Sequence, residues 1–191
     1  MPHAATLFWI SALVLLSPLY LRLFLSRDRR PFVARSRWII LIRLAEFSDV
    51  ALFLAVVYRW RWNFPLTPFP SIAAFAGLLL AATGAALASW SKLRLGVFFS
   101  TTLGVKQGHE IVSGGPYAWV RHPMYTGLLF VMLGGALVYN SGAALVLLAL
   151  PFCGFFYWQS ALEERLLVAH LGDAYLHYRQ VTGRFLPRVL R

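Results

Sequence analysis

The polar residues between positions 109 and 127 could do chemistry that a plain linker would not need. His109, Arg121 and His122 lie there with Tyr117, Trp119 and Tyr125. Ser113-Gly114-Gly115-Pro116 is a sharp turn signal, and its glycines let backbone N–H groups approach a ligand closely. Pro123 restricts His122 and suits the first turn of a following helix, so His122 is expected beside free N–H donors at a helix N-terminus. An anionic ligand group, such as a carboxylate or phosphate, is favoured there. Arg121 adds a permanent charge with a bidentate donor fork. Tyr125, one helical turn past Arg121, is expected on the same face, and the rings of Tyr117, Trp119 and Tyr125 suit a cationic or flat ligand. A second polar knot, Glu163-Glu164-Arg165, follows the last apolar segment.

Apolar elements must position these groups. Of the 191 residues, 59% are hydrophobic and 13% charged, whereas a soluble domain carries about 25% charged residues. The composition predicts an all-α integral membrane protein. A span needs about 20 mainly apolar residues, and five segments qualify, near 4–25, 38–58, 71–91, 124–141 and 143–161. The first is expected to be a retained span and not a cleaved signal. Asn140-Ser141-Gly142 predicts a tight antiparallel hairpin of the fourth and fifth spans, and Pro18 and Pro151 predict kinks. Gly77, Ala81, Gly84, Ala85 and Ala88 let another helix approach the third span closely. Arg43, Glu46 and Asp49 share a face of the second span, which suits a bundle interior. After the fifth span, Leu162, Leu166, Leu167, Leu171, Tyr175 and Leu176 predict an amphipathic helix resting on the membrane face, interrupted at Gly172. Two parts follow: 1–91, with three spans, and 92–191, with the chemistry.

Charge placement orients the bundle. Five arginines fill 27–37 and five more occupy 165–191, so most of the eighteen Lys and Arg fall on one side. That side is expected to be cytoplasmic, and both polar knots lie on it; Arg59 and Arg61, flanked by Trp60 and Trp62, stay opposite. The net charge of +11 suits anionic lipid, and without an aromatic-basic platform it does not indicate nucleic acid. Cys153, the single cysteine, excludes an internal disulfide and is expected as a small buried hydrophobe. No dinucleotide glycine motif, Walker loop, zinc spacing or nucleophile elbow is present, so no metal is expected.

Val112-Ser113-Gly114-Gly115-Pro116-Tyr117, Arg121-His122-Pro123-Met124-Tyr125 with Gly127, Glu163-Glu164, and Gly172 with Tyr175 and Tyr178 occur in that order. This set resembles the isoprenylcysteine carboxyl methyltransferase family and the related phospholipid methyltransferases, over about residues 92–187. The resemblance implies a small helical membrane bundle that binds S-adenosyl-L-methionine without a Rossmann domain. It implies His109, Val112, Gly115, Tyr117, His122, Pro123 and Tyr125 around the cofactor, with Glu163 and Glu164 as the acidic end of the pocket. Arg121 becomes the partner of an acceptor's negative charge or of the cofactor carboxylate, so Arg121, Glu163 and Glu164 are the implied catalytic set. The implied acceptor is lipophilic: the carboxylate of an isoprenylcysteine-like molecule, a thiol or a lipid amine. A carboxylate is already ionised, whereas a thiol or amine must lose a proton, which His109 or a site glutamate could take. The expected location is the inner membrane of a bacterium or archaeon, with the site facing the cytoplasm.

Two other classes stay open. An NADPH-dependent membrane reductase of the sterol-reductase type would call for more basic residues than Arg121 and Lys106. A non-enzymatic bundle would leave the Arg-His-Pro loop and Glu163-Glu164 without a role.

Overall fold

Small residues decide which helices pair. In this computed structural model residues 31–35, 64–100 and 104–188 are described, and the elements below belong to one unit, Phe32–Arg191. Helix α1 (Pro70–Leu95) starts on a proline, whose missing N–H costs nothing in a first turn, and has Lys92 and Arg94 in its last turn. Its buried residues include Ala73, Gly77, Ala81, Gly84 and Ala88. Helix α2 (Pro123–Val138) presents Gly127 and Gly134 in return. A Cβ added to Gly84 would lie 2.4 Å from the Gly127 carbonyl oxygen, and one added to Gly77 would lie 2.5 Å from that of Gly134. The two backbones touch, as helices do where lipid is as apolar as the side chains. The small-residue stripe expected to admit another helix is this seam. Gly84→Leu should therefore cost about 1–3 kcal/mol through overpacking, read as a lower melting temperature. Ala82→Leu, on the exposed face, should leave the melting temperature unchanged.

The turn after α2 is as tight as expected. Asn140 takes φ 46°, its Oδ1 accepts from the Leu66 and Thr67 N–H groups, and the Ser141 Oγ caps the next helix by accepting from the Ala144 N–H. The expected pairing differs, however. The long contact of α2 is with α1, and it meets α3 (Gly142–Leu171) around the turn and in an aromatic cluster. The glycine–alanine seam offers closer backbone packing than the bulkier face of α3.

Pro151 disturbs α3 in an identifiable way. Residues Leu145–Ala149 form a π turn just ahead of it, which absorbs the missing N–H and the clash of the ring with the carbonyl four residues back. Cys153 is exposed, a correction to the buried position expected. Its neighbour Phe152 takes the inward face, and an apolar run does not say which face turns inward. Residues 162–171 are likewise no separate helix: α3 runs through them unbroken and stops at Gly172, whose φ of 56° suits glycine. Helix α4 (Asp173–Val181) follows.

Strands β1 (Phe32–Arg35) and β2 (Gly104–Lys106) form an antiparallel ribbon. The chain is thus mostly helical and not all-α, because these two connecting segments satisfy backbone groups by pairing. Among the described residues, Pro70–Phe98 and Gly142–Leu171 are long and apolar enough to cross a membrane, while α2 is shorter. The first two expected spans, with Arg43, Glu46 and Asp49, lie outside the described residues.

Candidate functional site

His122 is the N-cap of α2 and Pro123 its first residue, so His122 stands at the helix N-terminus as expected, where a first turn leaves N–H groups free. The His122 ring stacks on Tyr125 with centroids 5.5 Å apart, and Tyr125 stacks on Phe156 at 4.9 Å. This ladder ties the start of α2 to α3. The Tyr125 hydroxyl donates to Glu163 Oε2 at 3.2 Å.

The loop ahead of α2 is held from both sides. Gly115, at φ 63°, opens a short 3-10 helix, Gly115–Ala118. A Cβ there would lie 2.9 Å from Arg94 Nε. The Tyr178 hydroxyl donates to the Tyr117 carbonyl at 2.7 Å, fastening the loop to α4. Burial pushes the Tyr178 phenol up to about 12, so it stays a donor. Upstream, Lys106 Nζ donates to the Val97 and Phe99 carbonyls at 2.7 Å each, which sets Phe98 and Phe99 as a wall.

Beneath the loop sits one carboxylate among four cationic side chains. Glu164 is 2% exposed. It accepts from Arg121 Nε and Arg184 Nη2, each at 2.9 Å, with His122 Nε2 at 3.2 Å and Arg179 Nε at 3.6 Å. Arg121 also donates to the Arg179 and Thr182 carbonyls. The C-terminal turn completes the clamp: the Arg121 and His122 N–H groups donate to the Gly183 and Arg184 carbonyls at 2.8 and 3.0 Å, and Thr126 Oγ1 donates to the Phe185 carbonyl.

Burial pulls the His122 pKa down, but hydrogen bonds and charge from Glu163 and Glu164 outweigh it and leave the value raised. A raised folded-state value means extra stability that is complete below the ordinary imidazole value, about 6.5, and lost as pH rises through the folded value. Melting temperature should therefore fall as pH climbs from near neutrality into the alkaline range, and His122→Gln should remove that part of the slope. His109 differs: burial lowers its pKa, so it is neutral at pH 7. Its ring lies 4.8 Å from that of Phe98, and its Nδ1 is buried without a hydrogen-bond partner.

These groups surround an open cleft of about 890 Å³, mouth included, and His109, Val112, Tyr117, Arg121, His122, Tyr125 and Glu163 all line it. The remaining expected residues do not. Gly115 and Pro123 shape the loop and the helix start behind the wall, and Glu164 is turned away into the arginine cluster. Trp119 is 57% exposed and meets Trp90 edge-on at 6.0 Å.

Several lining residues escaped the sequence reading. Leu166, Leu167, Leu171 and Tyr175 line the cleft, although their spacing suggested a face lying on the membrane. An apolar stripe looks the same whichever surface it covers. Phe98 and Phe99 form another wall, signalled only by a pair of rings just past a span. Arg184 was visible as one tail arginine among five, and nothing local pointed it at Glu164.

The profile of the phospholipid methyltransferase family matches residues 72–174. Protein-S-isoprenylcysteine O-methyltransferase of Schizosaccharomyces pombe is 32% identical over 108 residues, 56% of this chain and 46% of its own length. The enzyme of that name from Rattus norvegicus is 30% identical over 114 residues, 59% of this chain and 40% of its own. The chain thus spans less than half the length of these relatives. A solved structure of the eukaryotic intramembrane Ras methyltransferase, isoprenylcysteine carboxyl methyltransferase, matches with a TM-score of 0.60 at 23% identity. That match covers 82% of this chain and 55% of the other, and it shows a shared fold.

Proposed function

Since the chain belongs to the phospholipid methyltransferase family, we propose that it is a membrane-embedded S-adenosyl-L-methionine-dependent methyltransferase acting on a lipophilic acceptor. One observation carries this reading: a single cleft has an anionic wall at Glu163, a cationic end at Arg121 and His122, and apolar sides. The amino-acid part of the cofactor is a zwitterion, and the residues present fit it. Glu163, with a side chain 37% exposed, would hold the ammonium. Arg121 and the α2 N-terminus would hold the carboxylate, and Tyr117 and the edge of Tyr125 line the space between.

When bound, the cofactor supplies an electrophilic methyl group on a sulfonium sulfur. The protein's part is alignment and exclusion of water, which provide most of the acceleration for an in-line displacement. Phe98, Phe99, Leu166 and Leu167 serve the second purpose. Neutral His109 can accept a proton from a thiol or amine acceptor, and a carboxylate acceptor requires no such step. The names of the relatives make an isoprenylcysteine-like carboxylate the first acceptor to test, ahead of a thiol or a lipid amine. The bias of basic residues supports a cleft on the cytoplasmic side of an inner membrane.

Calorimetry on purified protein should detect S-adenosylhomocysteine binding in the micromolar range and none of NADPH. Folded protein that binds no S-adenosylhomocysteine in detergent or in lipid would overturn the reading. Binding of NADPH instead would support a reductase.

A further inference from the structure

The C-terminal turn, residues 182–188, has an outward side that the clamp does not use. The turn is tight, since a Cβ on Gly183 would lie 1.8 Å from the Leu186 carbonyl oxygen. Going from Arg184 to Phe185, it descends along α3. Arg184 reaches Glu164 and also lies 4.8 Å above the ring of Tyr157, two helical turns nearer the apolar part of α3. Phe185 then packs into the cluster of Tyr125, Phe152 and Phe156. At this level Tyr157 and Trp158 are 61% and 41% exposed, and Leu186 is 73% exposed. Amphipathic rings at the end of an apolar span mark the headgroup layer.

Two arginines stand beside this apolar tip. Arg188 is exposed and donates to the Arg179 and Gln180 carbonyls, which brings it next to Arg179. Arg179 has a side chain 40% exposed, and its carboxylate partner Glu164 is already shared with Arg121, Arg184 and His122. Positive charge therefore exceeds negative charge on the outer side of the turn. We propose that this turn is an anchor for anionic phospholipid headgroups, with Leu186 entering the apolar layer and Arg179 and Arg188 holding the headgroups. The inference rests on the membrane-embedded part of the proposed function and is independent of methyl transfer.

Protein reconstituted in mixed vesicles of phosphatidylcholine and phosphatidylglycerol tests this through energy transfer from tryptophan to pyrene-labelled lipid. Labelled phosphatidylglycerol should be enriched around the protein over labelled phosphatidylcholine, and the enrichment should fall with salt. An arginine near the surface is worth roughly fivefold in anionic-lipid preference, so Arg179→Gln with Arg188→Gln should reduce the enrichment by at least that factor. Arg179→Lys with Arg188→Lys, which keeps both charges, should retain most of it. Equal enrichment in the wild type and the Gln pair would overturn the proposal, as would loss in the Lys pair equal to that in the Gln pair. Transfer to neither labelled lipid would instead overturn the membrane-embedded reading.

Discussion

Glu164→Gln is expected to lose about 3–5 kcal/mol of stability, the usual cost of removing one partner from a buried ion pair. The carboxylate is 2% exposed and accepts from Arg121 and Arg184 at 2.9 Å. Glutamine can accept but cannot neutralise, so Arg121 would keep its charge with a side chain only 9% exposed. His122 would lose one of its two anionic neighbours. The variant should melt on the order of 10 °C below the wild type, and the fraction that stays folded should bind S-adenosylhomocysteine with nearly unchanged affinity. A normal melting temperature with a large loss of affinity would mean that Glu164, and not its neighbour, reaches the cofactor.

Glu163→Gln should behave in the opposite way. This side chain is 37% exposed, lines the cleft, accepts from the Tyr125 hydroxyl at 3.2 Å and lies 3.5 Å from His122 Nδ1. Glutamine can keep the Tyr125 contact and His122 keeps Glu164 as its anionic neighbour, so the melting temperature should move far less than in Glu164→Gln. If Glu163 holds the cofactor's ammonium, the substitution removes a charge-assisted bond worth about 1.5–3 kcal/mol. Affinity for S-adenosylhomocysteine should then drop by roughly ten- to a hundredfold. Calorimetry on this variant at matched folded fraction reads the effect directly, and an unchanged affinity would remove Glu163 from the cofactor site.

Adjacent glutamates with opposite expectations show where local sequence stops being informative. The apolar runs at the core of α1 and α3, the helix start at Pro123 with His122 as its cap, the turn at Gly115 and the stop at Gly172 were all legible from residue type alone. Each depends on the covalent limits of proline and glycine or on the need to bury apolar surface. The order of the motifs likewise brought His109, Val112, Tyr117, Arg121, His122, Tyr125 and Glu163 into one candidate site, and the structure gathers those seven around one cleft.

Which of Glu163 and Glu164 faces that cleft was not legible. Consecutive residues of an α-helix point about 100° apart, so the answer depends on how α3 is rotated. Packing against other elements sets that rotation: Phe152 and Phe156 against Tyr125 and Phe185, and Arg184 from twenty residues downstream. The same holds for the stripe of Leu166, Leu167 and Leu171, which lines a cleft, and for α2, whose long contact is with α1 and not with α3. Sequence by itself determined the helix starts at proline, the stop at Gly172 and the polar contents of the elements, because those follow from backbone chemistry and local burial. Tertiary structure alone decided facing and pairing, because they depend on contacts between residues far apart in the chain.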